Sequence, residues 1–476
     1  MDDFETVIGL EIHVELLTAS KMFCGCAVAF GAEPNTQVCP VCLGMPGVLP
    51  VANRKAVELA MRTAAAFGGE IAPSCRFARK NYFYPDLPKN YQISQYEEPI
   101  ARGGTLSVDD RTIRLTRVHL EEDAGKLIHQ ETGTSDSLVD INRTGIPLME
   151  IVTEPDIRTP EEAARFLELL KQTLQYLAVS DCTMEEGSLR CDANISLRRK
   201  GETTLGVKTE VKNLNSFKSV RRALAHEELR QAALLRSDGN VKQETRLWND
   251  DLGRTEKMRG KEEAHDYRYF PEPDLVPIVI DDAWREAVAS SVGELPPSRR
   301  ERFASQYGLP DYDIRVLTAD RRTADYFERC VGFLPEPKAV ANWMMGDLAA
   351  LINETDSSFE DCPVRPEHLA ELLGLVVNGK ITQTAAKEIL RELFTTPGSP
   401  LRMVRERNLL QMEDDAQLAA VVGEVLAANP QAVADYRLGK QQAAGFLVGQ
   451  VMRRTKGTAN PQKTGALIKE TIDRQP

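Results

Sequence analysis

Between residues 7 and 16 apolar and ionisable side chains alternate, with Ile8, Leu10, Ile12, Val14 and Leu16 on one side of a period-2 element and Glu11, His13 and Glu15 on the other. The pattern predicts a half-buried strand whose outer face carries three potential metal ligands. It returns at residues 190–198, where Cys191, Ala193, Ile195 and Leu197 alternate with Asp192, Asn194, Ser196 and Arg198. It returns again at residues 207–212, where Val207, Thr209 and Val211 alternate with Lys208, Glu210 and Lys212. Residues 148–154 also read as a strand, exposing Glu150 and Glu154, and residues 113–120 run straight into Glu121, Glu122 and Asp123. One acid-bearing strand face is ordinarily solvated sheet surface. Several together predict a concave surface of Glu, Asp, His, Lys and Asn, an oxygen-rich set suited to magnesium and phosphoryl chemistry.

The helical signals are of a different kind. Thr159-Pro-Glu-Glu162 predicts a helix start, with Thr159 as N-cap, Pro160 at the first helical position and Glu162 closing a capping box. Phe166, Leu167, Leu170, Leu174 and Leu177 then form a stripe that would cover the apolar side of the sheet. The last strand-like run, residues 275–281, is followed by Pro296-Pro-Ser298, and from there the pattern is helical, with start signals at Pro366 and Thr382. A second break falls at Thr396-Pro-Gly-Ser-Pro400. The expected fold is therefore α+β: a large N-terminal mixed domain with an antiparallel-rich sheet over residues 1–292, then two all-α domains over 293–400 and 401–476.

Composition narrows the class without changing that picture. The 476 residues are 42% hydrophobic and 27% charged, ordinary for a chain of two or three globular domains. A net charge of −12 argues against a protein that coats nucleic acid at large but leaves room for local basic patches. One lies at the end: from Asp435 onward eight Lys and Arg face three Asp and Glu, which predicts a tail that meets nucleic-acid phosphates or, on the plainer reading, a solvated helix surface. The N-terminus shows no basic and apolar leader pattern, and no run of 18 apolar residues occurs, so a cytoplasmic, non-membrane protein is expected. Nine cysteines, an odd number, point to reduced thiols.

Four of those cysteines carry a signal. Cys24 and Cys26, then twelve residues, then Cys39 and Cys42 have the paired spacing of a tetrahedral thiolate site, which predicts structural zinc against the alternative of free cysteines in a loop. His13-x-Glu15 followed by Cys39-Pro-Val-Cys42 is also a partial match to the zinc-deaminase pattern. Against it, Val38 stands where that pattern has proline, His13 lies in a strand, and Cys24 with Cys26 would saturate the metal. No P-loop, dinucleotide glycine fingerprint or nucleophile elbow is present, so any use of ATP needs another kind of site. Residues 76–96 combine Arg79, Lys80 and Lys89 with Tyr82, Tyr84, Tyr91 and Tyr96, a set able to grip phosphate and stack on a base, or a proline-stiffened loop packed on the sheet.

Several longer strings together carry a resemblance. Val7-Ile-Gly-Leu-Glu-Ile-His-Val-Glu-Leu, Arg79-Lys-Asn-Tyr-Phe-Tyr-Pro-Asp-Leu-Pro-Lys, Leu120-Glu-Glu-Asp-Ala-Gly-Lys, Met184-Glu-Glu-Gly-Ser-Leu-Arg-Cys-Asp-Ala-Asn, Lys212-Asn-Leu-Asn-Ser-Phe and Asp266-Tyr-Arg-Tyr-Phe-Pro-Glu-Pro-Asp closely resemble the B subunits of the glutamyl/aspartyl-tRNA amidotransferases. The resemblance runs through essentially the whole chain and implies a cradle domain, a helical domain and a tail domain, the basic tail then facing tRNA. It implies ATP-dependent conversion of Glu-tRNA(Gln), Asp-tRNA(Asn) or both to the amide forms, with ammonia from an amidase-type A subunit and a small C subunit as the bridge between them. It further implies Glu11, His13, Glu122, Glu150 and Glu210 as magnesium and phosphate-site residues, with Lys80 and Asp192 orienting. The chain itself shows neither a Ser-Lys amidase pattern nor a cysteine nucleophile motif, in keeping with a separate glutaminase. The alternative from another class is a zinc-ribbon tRNA-binding scaffold whose acidic face is merely solvated.

Overall fold

The computed structural model describes residues 3–129, 137–258, 267–355, 357–411, 415–455 and 457–474; Asp266 of the tyrosine-rich string and Lys456 of the basic tail lie outside them. The chain divides into two compact units, Met1–Pro296 and Pro297–Pro476.

The first unit is built on a 13-stranded sheet. The strands that matter for the site are β1 (Phe4–Glu15), β2 (Ala78–Asn81), β3 (Tyr91–Ser94), β4 (Arg111–Glu122), β5 (Pro147–Thr153), β6 (Leu189–Arg199), β7 (Thr209–Lys212), β8 (Glu244–Asn249), β9 (Arg254–Lys257) and β10 (Phe270–Pro271). Their spatial order is β9-β8-β7-β6-β1-β5-β4-β3-β2-β10, and along this path only β7 and β8 run parallel. The antiparallel-rich α+β architecture expected from the alternation is the one present. Two predicted strands are shorter than their patterns: β7 starts at Thr209, and residues 275–281 contribute only the pair Ile278–Val279, which joins a separate two-stranded sheet.

β1 sits centrally because its alternation satisfies both faces. Ile8, Leu10, Ile12 and Val14 are fully buried, while Glu11, His13 and Glu15 remain partly accessible on the opposite face. The apolar face is covered by helices α1 (Arg54–Ala66), α2 (Pro160–Tyr176) and α3 (Phe217–Arg236), whose side chains join those of the strands in one core. All five residues of the expected α2 stripe are buried in it. At the α2 N-terminus Thr159 caps as expected, its hydroxyl accepting from the Glu162 amide at 3.0 Å. The reciprocal half of the capping box is different: the Glu162 carboxylate accepts from the Arg158 amide at 2.8 Å and pairs with Arg111 at 3.0 Å. The arginine on β4 draws the carboxylate away from the Thr159 amide.

The second unit is helical in its described residues and contains separate cores. One gathers Phe303, Phe327, Met344, Leu372 and Ile389; another gathers Leu418, Val422, Leu447 and Ile468. Pro366 opens the helix Pro366–Val377, and the Thr382 hydroxyl caps Gln383–Thr395 by accepting from the Ala385 amide at 3.2 Å. Among the described residues no helix is long and apolar enough to cross a membrane.

One buried charge holds the far end of the sheet. Glu227 on α3 is fully buried and accepts from Arg230 Nε at 2.9 Å and pairs with Arg246 Nε of β8 at 3.1 Å. Burial opposes its charge, but Arg230, Thr255 and Arg246 together hold the carboxyl below the usual range. A depressed folded-state pKa contributes stability that is present above the unfolded carboxyl's range and lost as pH falls through the folded value. Glu227→Ala should destabilise the first unit by about 3 kcal/mol, because it leaves two arginines facing a buried void. Glu227→Gln should flatten the acid limb of a midpoint-versus-pH curve measured by thermal unfolding. Wild-type midpoints for both variants across the pH range would show that the network contributes nothing.

Candidate functional site

The acidic face gathers where β1, β5 and β4 lie side by side. Register pairs His13 with Glu150 and Glu150 with His119, while Leu148 pairs with Glu15 on one side and Glu121 on the other, so all of these side chains share one face. His13 Nε2 lies 3.4 Å from Glu150 and 3.6 Å from Glu121. His119 Nε2 lies 3.3 Å from Glu150 and 3.8 Å from Glu121. Ser94 donates to Glu121 at 3.1 Å, and Arg117 reaches Glu150 at 3.9 Å. One ligand atom each from His13, Glu121 and Glu150 fall within 4.8 Å of one another.

The electrostatics follow from this packing. Burial disfavours the imidazolium of His119, yet Glu150 and Glu121 outweigh it and push its pKa up to about 9. His13 is raised in the same way against its burial, mainly by its contact with Glu150. Both carboxyls, although buried, are held below the usual range by the two histidines. The arrangement is two carboxylates and an imidazole converging on a point with cationic groups behind them. A divalent ion fits it chemically, since hard cations take carboxylate oxygen and a neutral imidazole can replace one such ligand.

The expected residues divide among several places. His13 and Glu150 meet in the triad. Glu122 does not; the carboxylate that converges with them is that of Glu121. In β4 the pairing steps from Val152–Arg117 to Thr153–Leu115, a bulge that leaves Thr116 unpaired. Counted from Ile113 and Leu115, unbroken alternation would put Glu122 on the acidic face. The bulge reverses the parity, so Arg117, His119 and Glu121 face the acids while Glu122 points through to the other side. There it pairs with Lys89 and accepts from the Ile93 amide at 2.9 Å, lining a cavity of about 200 Å³ with Lys21, Tyr91 and Cys42.

Glu11, Asp192 and Glu210 form a second group further along β1, β6 and β7. Lys212 Nζ lies 2.5 Å from Asp192 and 3.0 Å from Glu210. Thr245 donates to Glu210 at 2.7 Å, and Asn194 donates to Glu11 at 3.0 Å. The Asn194 oxygen is buried without a hydrogen-bond partner. Lys80 joins neither group; its ammonium lies 5.0 Å from the Tyr267 ring centre and 5.8 Å from that of Tyr82.

Four participants went unassigned in the sequence: His119, Glu121, Asp123 and Arg190. Asp123, in the strand-end cluster Glu121-Glu-Asp123, is the anchor of an adjoining pair of arginines, accepting from Arg190 at 2.6 Å with Arg143 at 3.5 Å. These cations hold Asp123 low against its burial, and Glu15 beside it is pushed up to about 8 by burial and by the Asp123 charge. Gly125 lets this stretch pack closely, since a Cβ there would stand 2.9 Å from the Asp140 carbonyl. Arg143 then ties down the Ala124 and Gly125 carbonyls at 2.9 and 2.8 Å.

The cysteine quartet lies in the segment between β1 and α1. One sulfur from each of Cys24, Cys26, Cys39 and Cys42 falls within 4.8 Å of the others, and those of Cys39 and Cys42 are 3.9 Å apart. Tetrahedral zinc with its usual sulfur distances places thiolates about 3.8 Å apart, so the quartet fits that ion. The Cys39 amide donates to Cys42 sulfur at 3.0 Å. The Cys24 hydrogen bond and, more weakly, the Lys21 charge bring the Cys42 thiol down to about 5.

Comparison with known proteins covers both units. The GatB/GatE catalytic domain family matches residues 6–286, and the GatB domain family matches residues 325–472. The B subunit of an aspartyl/glutamyl-tRNA(Asn/Gln) amidotransferase of Moorella thermoacetica is 55% identical over 475 residues, covering 99% of this chain and 100% of the relative. Proteins of the same description from Caldanaerobacter subterraneus subsp. tengcongensis and Geotalea daltonii are 52% and 51% identical, covering 99% and 98% of this chain and 100% and 98% of theirs.

The quartet's geometry sets an expected outcome that needs no activity assay. Protein purified under reducing conditions should contain about one zinc per chain, as four thiolates complete one tetrahedron. Cys39→Ser with Cys42→Ser should abolish the zinc and lower the thermal midpoint. Metal-free wild-type protein, or an unchanged midpoint in the double variant, would identify the four as ordinary reduced thiols.

Proposed function

The chain belongs to the GatB family of tRNA-dependent amidotransferase B subunits, and we propose that it amidates the side-chain carboxylate of Glu-tRNA(Gln), Asp-tRNA(Asn) or both at the expense of ATP. In the first step a carboxylate oxygen attacks the γ-phosphorus of ATP, giving an acyl phosphate and ADP. In the second, ammonia attacks the acyl carbon, phosphate leaves, and the nitrogen loses a proton to give the amide. A free carboxylate is a poor electrophile because its charge is delocalised and it has no leaving group; phosphorylation supplies one.

The observation that carries this reading is the convergence of His13, Glu121 and Glu150 on one face of the sheet. These three would hold magnesium, which when bound neutralises charge gathering on the transferred phosphoryl group. Arg117 and His119 behind the triad orient its carboxylates and limit its net charge. Arg190, anchored on Asp123, presents a guanidinium to anionic oxygens beside the triad. Glu11, Asp192, Asn194 and Glu210 form a neighbouring oxygen-rich pocket whose present cation is Lys212, a place for further phosphate or metal contacts. Structural zinc on the four cysteines belongs to the same reading, as do a cytoplasmic setting and ammonia supplied by an amidase-type A subunit with a small C subunit.

Division of the second unit near residue 400 into a helical and a tail domain is part of the proposal; two separate cores support a division, but Met403 and Val404 belong to the first of them and Leu418 opens the second, which favours a break after Val404. The tail would face tRNA. Part of its charge is already paired, Lys440 with Asp435 at 3.0 Å and Arg454 with Glu424 at 2.7 Å, which leaves a smaller basic patch than the residue count suggests. Removing residues 401–476 should weaken tRNA binding and lower its salt slope while leaving the first unit's folding intact. An unchanged affinity and slope would place tRNA contacts elsewhere.

The decisive assay supplies the assembled complex with radiolabelled ATP, Glu-tRNA(Gln) and ammonium chloride in place of glutamine. His13→Ala, Glu121→Ala and Glu150→Ala should each lower acyl-phosphate formation by at least about a hundredfold, since each removes a ligand of the ion that would neutralise the phosphoryl charge. Glutamine hydrolysis by the partner should persist. Normal amide formation by these variants would move the chemistry away from the triad, and binding of tRNA without any ATP turnover by wild type would favour the scaffold alternative.

A further inference from the structure

Beside the triad stands a wall of tyrosines that the metal and phosphate chemistry does not use. Ser94, two residues before Tyr96, pairs with Glu121 across the strands and donates to its carboxylate at 3.1 Å, which sets the wall at the edge of the triad. Tyr96 lies flat on Tyr269, with ring centres 4.1 Å apart and planes inclined by 7°. Tyr267 meets Tyr269 edge-on at 6.1 Å and Tyr82 at 5.9 Å, and the Lys80 ammonium lies over the Tyr267 ring. Tyr269 covers one face of the Tyr96 ring, yet Tyr96 remains 47% exposed. Its solvent-facing side is a flat aromatic surface held rigid from behind. A ring backed in this way keeps no rotamer entropy to lose on binding, which favours stacking of another planar ring.

We propose that Tyr96, backed by Tyr269, is the stacking shelf for the adenine of the 3′-terminal adenosine of the aminoacyl-tRNA. The inference rests on the amidation reading. In such a substrate the amino acid is esterified to the ribose of that last nucleoside, so when its side-chain carboxylate reaches His13, Glu121 and Glu150 the base must lie within one nucleoside of them. The Tyr96 and Tyr269 pair is the stacked aromatic surface adjoining the triad. The adenine of ATP is separated from its reacting phosphorus by ribose and two further phosphates, and so falls farther away. Base stacking on an aromatic side chain tolerates any base, so the shelf recognises the chain end by position, with the ester and the carboxylate supplying identity.

The test uses the assembled complex and Glu-tRNA carrying 2-aminopurine in place of the terminal adenine, whose fluorescence is quenched on stacking. Wild type and Tyr96→Phe should quench it on binding; Tyr96→Leu should not, and should raise the KM for Glu-tRNA by about tenfold with little change in the KM for ATP. Tyr96 is half exposed, so Tyr96→Leu should keep the wild-type thermal midpoint. Undiminished quenching in Tyr96→Leu, or a rise confined to the KM for ATP, would overturn the shelf assignment. Because quenching is read on binding without turnover, a wild-type complex that quenches but forms no amide would overturn the amidation reading and leave the shelf standing.

Discussion

Two carboxylates are buried side by side on a sheet face, and that placement constrains everything around it. Glu121 is 2% exposed and Glu150 8%. Left alone in such a place, carboxyls would take up protons, because burial penalises the charged form by far more than a single hydrogen bond returns. They remain anionic because His13, His119 and Arg117 are brought within reach by strand register. Register in turn depends on the opposite face, where Ile8, Leu10, Ile12 and Val14 must stay in the core. A slip of β1 by one residue would expose that row and bury its acids, so the core specifies the site.

The acidic face is then divided according to which cation answers each acid. Histidines answer the triad, arginines answer Asp123, and a lysine answers Asp192 and Glu210. The three differ in what they can yield. An imidazole that gives up its proton becomes a ligand, so the triad can exchange a proton for a metal ion. A guanidinium keeps its charge and cannot ligate, which suits Arg190 to fixed recognition of anionic oxygen. The Lys212 ammonium is a compact charge on a flexible stem, shared between Asp192 and Glu210. One strand pattern thus sets three kinds of cation against its acids in adjoining compartments.

Much of this could be read from the residues. The alternation in β1 and β6 is unbroken, so the faces of His13, Glu11 and Asp192 followed directly, and the α2 stripe was plain because its period is helical throughout. The cysteine spacing was sufficient to group the quartet. What escaped the sequence was set by long-range or irregular structure. The bulge at Thr116 exchanges Glu122 for Glu121, and nothing local to the residues marks it except the return of apolar residues at Val118 and Leu120, one position out of step with Ile113 and Leu115. Arg190 was visible on the right strand but its partner Asp123 lies 67 positions away in the chain. The tyrosine wall joins Tyr82 and Tyr96 to Tyr267 and Tyr269, a contact that no period in either segment encodes.

The segment between β1 and α1 shows how an irregular stretch can still be held in one conformation. It has too little regular structure to satisfy its backbone internally, so its groups are bonded outward. Asn53, which caps α1 by accepting from Lys55 and Ala56, also donates to the Ser20 carbonyl at 3.0 Å. Asn35 and Gln37 donate to Asp140 and Asn142 at 3.1 and 2.8 Å. Near its start Lys21 is 1% exposed, and the carbonyl of Ile141 at 3.4 Å is a weak partner for a buried ammonium. Such a charge needs an anion close by. Cys42 beside it is held toward thiolate, with Lys21 contributing, so the buried cation and the sulfur quartet account for one another. A loop of neutral residues would have no reason to bury the lysine, and zinc on four thiolates would still carry a net charge of about −2, part of which a buried ammonium offsets.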